Sequence, residues 1–125
     1  RPTVESRLTR ELAWMQSVFD LNNTQYSSIR ALHQRTGPEL ERLFTVLRTT
    51  HEELNRLEEV RRTADKVDFL AFHQAKEANR KARLQCRTLT LDLVYAVAEV
   101  MSPEQRTRYF ALVGNGVELA TPPAS

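Results

Sequence analysis

Three histidines, one cysteine and a set of glutamates are the side chains in this sequence that could bind a metal ion or react. His73 and Glu77 stand four residues apart in a helix-forming stretch, which would place both on one helix face and offer two ligands to a divalent metal ion. The same spacing is typical of an ordinary solvent-exposed ion pair, so both interpretations stay open. His51 lies beside Glu52 and Glu53 and is predicted to be exposed.

His33 and Cys86 are the other two candidates. His33 falls in an apolar repeat and is either a partly buried polar residue that fixes helix register, or a metal ligand or pH switch. Cys86 is the only cysteine, so an internal disulfide is excluded. Its place among small residues favours a buried, inert thiol. The alternatives are an intermolecular disulfide with a second copy, redox sensing and a soft-metal donor, and Arg83 and Arg87 would lower the pKa of an exposed thiol.

The sequence does not contain the motifs from which common catalytic sites are built. It has no glycine-rich phosphate loop and no HExxH, and no Ser–His–Asp set can be assembled from it. The stretch EELNRLEEVRR at 52–62 alternates in charge as a solvated helix face does. We therefore predict that the protein is not an enzyme and requires no cofactor.

The composition predicts one helical domain. The chain has 125 residues, enough for a buried core, and only 3 glycines, where average usage gives about 9. Its 18 basic and 16 acidic residues are interspersed, and only RKAR at 80–83 is locally basic, without aromatic neighbours that could stack on bases. We expect no nucleic-acid binding. No run of ~18 apolar residues is present, so we also expect no membrane span within this chain.

Two helices are predicted in the first half of the chain. The first runs from about Val4 to Leu21, and the second from about Asn23 to Arg61, with a kink or short break near 34–38 because Pro38 lacks a backbone N–H. Apolar residues recur every three or four positions along the second helix and form a heptad seam. The seam consists of Tyr26, Ile29, His33, Thr36, Leu40, Leu43, Leu47, Thr50, Leu54 and Leu57.

A second long helix and a short one are predicted in the other half. Asp65 could cap a new helix, so we place a tight turn at 62–65; the rival is one unbroken rod from Pro38 to Val100. The third helix would then run from about Lys66 to Val100 and carry an alanine-rich stripe that permits close helix approach. Residues Phe69, Phe72, Leu84, Leu91 and Tyr95 lie off this stripe, which predicts a second covered face. The fourth helix would run from Pro103 to Leu112 or Val113 and stop at 114–116, before a disordered tail at 117–125.

Two similar signals open the second and fourth helices. In LNNTQY, Asn22 is a good N-cap and Gln25 can reach back to it as a capping box. In MSPEQR, Ser102 is the N-cap, Pro103 takes the first helical position and Gln105 closes the box. An apolar residue precedes each cap, as in a hydrophobic staple. Both signals are expected to start a helix after a bend.

The order of these features resembles the Spy/CpxP superfamily, and within it the periplasmic heavy-metal sensor group of the CnrX/ZraP kind. The resemblance covers residues from about 8 to 113 and depends on the two capping signals and the long hairpin between them. It implies an all-α hooked helical hairpin, dimerisation, a bacterial periplasmic location and a sensor or ATP-independent chaperone function. It also implies a metal site on the first three helices.

The sequence departs from that metal site. In the register set by the capping signals, the first-helix ligand positions carry Leu12 and Gln16, the second-helix position carries His33, and the third-helix pair becomes Leu93 and Val97. Only His33 could ligate a metal ion. Divalent Ni, Co, Zn or Cu needs several converging donors, so any metal site must use other residues.

We therefore predict an all-α hooked helical hairpin of about four helices, two long and two short, in a single domain over residues 1–116. A homodimer is expected because part of the long apolar seam would otherwise stay uncovered. The expected function is a non-catalytic periplasmic sensor domain of an envelope or heavy-metal stress response. The alternatives are a Spy-like ATP-independent chaperone and a structural dimerisation module. The expected partners are a membrane-bound signalling protein or an unfolded client. Because the sequence begins at Arg1, we interpret it as a processed or truncated piece and leave an N-terminal anchor open.

Overall fold

The computed structural model describes residues 4–114, with side chains from Ser6 onward, and these residues form an all-α fold. Helices account for 91% of them and no strand occurs among them, which confirms the predicted fold class. The helices are α1 (Val4–Phe19), α2 (Asn23–Ala64), α3 (Phe69–Val100) and α4 (Pro103–Val113). The predicted tail at 117–125 lies outside the described residues, as do Asn115 and Gly116.

Helix α1 ends at Phe19, two residues before the predicted end. Asp20 adopts a left-handed conformation with φ 55°, which stops the helix. The backbone N–H of Leu21 then donates to the carbonyl of Gln16 at 3.1 Å, the long hydrogen bond of a Schellman motif. The chain is thereby turned so that Asn22 can cap α2.

The turn between the two long helices was predicted three residues too early. Helix α2 continues to Ala64, Asp65 is left-handed with φ 52°, and α3 begins at Phe69. Asp68, not Asp65, caps α3, because its carboxylate accepts from the backbone N–H of Ala71 at 3.0 Å. The chain does turn here, which excludes the unbroken rod.

Pro38 does not break α2. The helix runs without interruption from Asn23 to Ala64 with Pro38 inside it, so the predicted short break is wrong. Proline removes only one backbone N–H from the helical ladder. On either side, Thr36 and Leu40 are half-buried seam residues, and we attribute the continuity of the helix to their packing.

The described residues divide into two compact units. The first holds residues 4–36 and 91–114, and the second holds 37–90. In the first unit all four helices contribute to one apolar core, in which Phe19 packs edge-to-face against Tyr109 at 5.7 Å between ring centroids. The buried members of this core are Leu12, Met15, Phe19, Leu21, Ile29, Val94, Val97, Ala98, Met101 and Tyr109.

The second unit is a helical hairpin of α2 and α3. Leu43 of α2 is fully buried against Ala82 and Cys86 of α3. Further along α2, the Thr50 hydroxyl accepts a hydrogen bond from the Asn79 side-chain amide at 2.8 Å. Contacts thus move down α3 as they move up α2, which is the antiparallel arrangement that the predicted turn requires.

The heptad seam of α2 is covered by the chain itself. All ten predicted seam positions are buried or half-buried, including His33, Thr36 and Thr50. The expected homodimer was argued from an uncovered part of this seam, and that premise is not met within the described residues. Dimerisation remains a prediction without this argument.

Candidate functional site

The predicted metal ligands do not converge. His33 is half-buried, and its Nδ1 lies 2.9 Å from the carbonyl oxygen of Ile29, to which it donates. His73 and Glu77 are both exposed on α3, and the Glu77 carboxylate is paired with Arg80 at 3.0 Å. Hydrogen bonds from that guanidinium hold the pKa of Glu77 below its usual value. Among the described residues, no three His, Cys, Asp or Glu side chains come together as a metal-binding group.

The ligand positions implied by the resemblance belong to the apolar core of the first unit. Leu12 is 1% exposed and Val97 is 0% exposed. Leu93 packs against the same core, and the Gln16 side chain is half-buried near the end of α1. These positions therefore contribute packing, and a metal ion would find hydrocarbon where sensors of the resembled kind hold their donors.

Cys86 lies in the core of the second unit. Its side chain is 9% exposed beside Leu43 and Ala82, and burial raises the pKa of the thiol. The predicted lowering by Arg83 and Arg87 depended on an exposed thiol, and both arginines lie on the exposed surface while the thiol does not. The geometry favours an inert thiol, and the disulfide and soft-metal interpretations remain predictions.

We expect Cys86 to react with iodoacetamide at pH 8 at least about tenfold more slowly than a free cysteine, because the thiolate is the nucleophile and burial disfavours it. The raised pKa delays thiolate formation, so the rate should still be climbing at pH values where an ordinary thiol has levelled off. Intact-mass spectrometry measures the rate, and the chain in guanidinium is the control. Reaction at the free rate in the folded chain would contradict this assignment.

The two capping signals form a shared hydrogen-bonded site in the first unit. In each box the cap side chain accepts from the glutamine N–H, and the glutamine Oε1 accepts from the cap N–H: Asn22 with Gln25 at 2.8 and 3.0 Å, Ser102 with Gln105 at 3.3 and 2.8 Å. Both predicted capping boxes are therefore confirmed.

The glutamines of the two boxes also bind each other. Gln25 Nε2 donates to Gln105 Oε1 at 2.8 Å, and Gln105 Nε2 lies 3.3 Å from Gln25 Oε1. Each amide additionally reaches the helix end beside the other box: Gln25 donates to the carbonyl of Val100, and Gln105 to those of Phe19 and Asp20. We call this arrangement of Gln25 and Gln105 the amide clasp. Sequence reasoning found both glutamines but not their meeting, because a capping box describes only local hydrogen bonds.

Arginines of α4 complete the same helix ends. Arg106 donates to the carbonyls of Ala98 at 3.0 Å and Met101 at 3.2 Å, near the end of α3. Arg108 donates to the carbonyl of Val18 at 3.3 Å at the end of α1. A cation at a helix C-terminus satisfies unpaired carbonyls and the helix dipole. Helix α4 therefore stabilises two helix ends as well as the core.

One exposed surface of the second unit combines apolar and basic side chains. Phe69 is 78% exposed, Leu70 is 65% exposed and Leu84 is 53% exposed, although the sequence predicted a second covered face on α3. Spacing of three, four and seven residues places Leu84 on the side of α3 opposite Ala82 and Cys86, together with basic residues. We call this surface the α3 outer face. It comprises Phe69, Leu70, Arg80, Lys81, Leu84 and Arg87.

Comparison with protein-family models, with curated proteins and with solved structures finds no match to this chain. Among the described residues, none of the helices combines the length and the apolar character that a membrane crossing needs. The predicted membership of the Spy/CpxP superfamily therefore stays a resemblance carried by the two capping signals and the helix order.

Proposed function

We propose that this chain is a non-catalytic periplasmic sensor domain of an envelope or heavy-metal stress response, and that its input is a polypeptide. The observation that carries the proposal is the α3 outer face, where three large apolar side chains are exposed among basic residues. Large apolar side chains grouped on a protein surface are typical of protein-binding sites. The buried Leu12 and Val97 argue against a metal input at the positions that the resemblance implies.

A Spy-like ATP-independent chaperone is the second candidate. The same α3 outer face favours it, because an unfolded client offers exposed apolar side chains and backbone groups to such a surface. The two candidates differ in their products. A sensor passes the bound state to a signalling partner, whereas a chaperone keeps its client from aggregating.

Two titrations test this proposal. We expect chemically reduced α-lactalbumin, an unfolded chain, to bind with a Kd in the range of about 1–100 µM by calorimetry, and native α-lactalbumin not to bind. Ni²⁺, Co²⁺, Zn²⁺ and Cu²⁺ are each expected to bind more weakly than about 100 µM. Tight metal binding without client binding would overturn the polypeptide input. Absence of both would overturn the sensor and the chaperone together.

Light scattering then separates the two candidates. If the chain suppresses aggregation of the reduced client at equimolar concentration without ATP, the chaperone is favoured. Binding without suppression favours the sensor. Bovine serum albumin at the same mass concentration is the control for nonspecific protection.

A further inference from the structure

We infer that the α3 outer face docks an acidic polypeptide segment that carries apolar anchor residues. This inference rests on the proposed polypeptide-binding function and names the partner class for one surface. It starts from a charge asymmetry within the second unit. Between Phe69 and Thr90, α3 carries five basic residues and one acidic residue, whereas α2 between Gly37 and Ala64 carries five basic and six acidic residues. A basic surface attracts acidic partners and speeds their encounter.

The charges of α2 are largely neutralised within that helix. Four of its six glutamates in the second unit pair with an arginine three residues further on: Glu39 with Arg42, Glu53 with Arg56, Glu58 with Arg61 and Glu59 with Arg62. On α3, the only acidic residue of this stretch, Glu77, pairs with Arg80. The basic excess of α3 is therefore not balanced by its own helix. The acidic side chains of α2 in a second copy are already committed, which makes a second copy a poor source of the complementary charge.

A groove beside Leu84 offers a seat for an apolar anchor. It has a volume of about 370 Å³ and is lined by Glu39, Leu84, Gln85, Thr88 and Leu89. Leu84 stands at its edge with 53% of its surface exposed, and the Glu39 carboxylate is neutralised by Arg42. A side chain entering this groove would contact Leu84 and Leu89 while its flanking residues meet the basic side chains around it.

The spacing of the apolar side chains favours a polypeptide over a lipid surface. Leu70 and Leu84 are fourteen residues apart, or about 21 Å along the helix, and the charged pair of Glu77 and Arg80 lies between them. A helix that lies in a membrane interface needs a continuous apolar stripe, which this face lacks. Nucleic acid would be held by phosphate contacts and base stacking, and Leu84 supplies neither. Two separated anchors with charges between them suit an acidic segment with apolar residues at matching positions.

A pair of synthetic peptides tests the inference. The acidic probe is a 21-residue peptide of glutamate and alanine with leucine pairs fourteen residues apart, and the matched control has lysine in place of each glutamate. We expect fluorescence anisotropy to show binding of the acidic probe only, weakening at least about tenfold between 50 and 500 mM salt. Amide chemical shifts of the labelled chain should change between Arg80 and Thr88.

Variants on the two helices locate the site. The double variant K81E/R87E is expected to weaken binding at least about tenfold, and Leu84→Ser about fivefold. The matched controls on α2, Arg48→Glu and Phe44→Ser, change exposed residues in the same way and should stay within about twofold. Circular dichroism verifies that each variant is folded.

The inference is overturned if the lysine peptide binds as well as the acidic one, or if the α2 controls weaken binding as much as the α3 variants. It is also overturned if only phosphatidylglycerol vesicles or a single-stranded DNA oligonucleotide bind this face. Binding of reduced α-lactalbumin without binding of the acidic probe would remove this docking site and leave the proposed function standing. Binding of the probe without the unfolded client would do the reverse.

Discussion

Replacing Gln105 with alanine is expected to lower the free energy of unfolding by about 3 kcal/mol, because several partners of one buried amide lose their hydrogen bonds together. Gln105 is only 8% exposed and donates to the carbonyls of Phe19 and Asp20 while its Oε1 accepts from the Ser102 N–H. An unpaired buried donor or acceptor costs about 1–3 kcal/mol. Guanidinium unfolding followed by circular dichroism measures the loss.

A double-mutant cycle with Gln25 tests the amide clasp itself. Gln25→Ala alone should cost about 2 kcal/mol, and the double variant should cost about 1 kcal/mol less than the sum, since the amide–amide hydrogen bonds can be lost only once. Gln85→Ala on the exposed surface of α3 is the matched control and should stay within about 0.5 kcal/mol. Additive losses for Gln25 and Gln105 would mean that the two boxes act independently.

Replacing Phe19 with alanine is expected to cost about 4 kcal/mol, the largest single loss we anticipate. Its ring is 1% exposed and packs edge-to-face against Tyr109 and Trp14. Truncation removes buried apolar surface and leaves a cavity where α1 meets α4, and such changes typically cost about 3–5 kcal/mol. Thermal unfolding and guanidinium unfolding should agree on the sign and size.

Two further variants make the Phe19 prediction specific. Phe69→Ala changes the same residue type at a site that is 78% exposed, and it should alter stability by less than about 0.5 kcal/mol. Phe19→Leu keeps most of the apolar volume and should retain more than half of the stability lost in Phe19→Ala. Equal losses at Phe19 and Phe69 would show that burial does not set the cost.

Helix number, helix type and the apolar seam were predictable from the sequence. The periodicity from Tyr26 to Leu57 identified residues that the structure shows as buried or half-buried, because a spacing of three and four residues maps directly onto one helix face. The start of α4 at Pro103 and its end at Val113 were predicted to the residue. Capping boxes and proline at the first helical position act over a few residues, so the sequence carries them in full.

The turn between α2 and α3 was predictable in kind but not in position. Asp65 and Asp68 are both good N-caps by residue type, and the sequence offers no local reason to choose between them. In the structure Asp65 takes the left-handed conformation that ends α2, and Asp68 caps α3. At Pro38 the local rule predicted a break, yet the helix continues, because packing along the seam outweighs one missing hydrogen bond.

The candidate sites divide in the same way. Sequence patterns named His33, His73, Glu77 and Cys86 by their chemistry, but whether donors converge depends on distances between helices, which the sequence does not encode locally. The α3 outer face was visible only as the short basic run at 80–83 until the exposure of Leu84 and Phe69 showed which apolar residues accompany it.

The sequence by itself determined that this protein is helical, where its short last helix begins and ends, and which side of α2 turns inward, because these depend on contacts within a few residues. Only the tertiary structure decided that Gln25 and Gln105 meet across eighty residues, that Leu12 and Val97 lie in a core, and that Leu84 stays at the surface. Each of those outcomes is set by which helices pack together. That packing is the summed result of many weak contacts distant in sequence, so no short motif announces it.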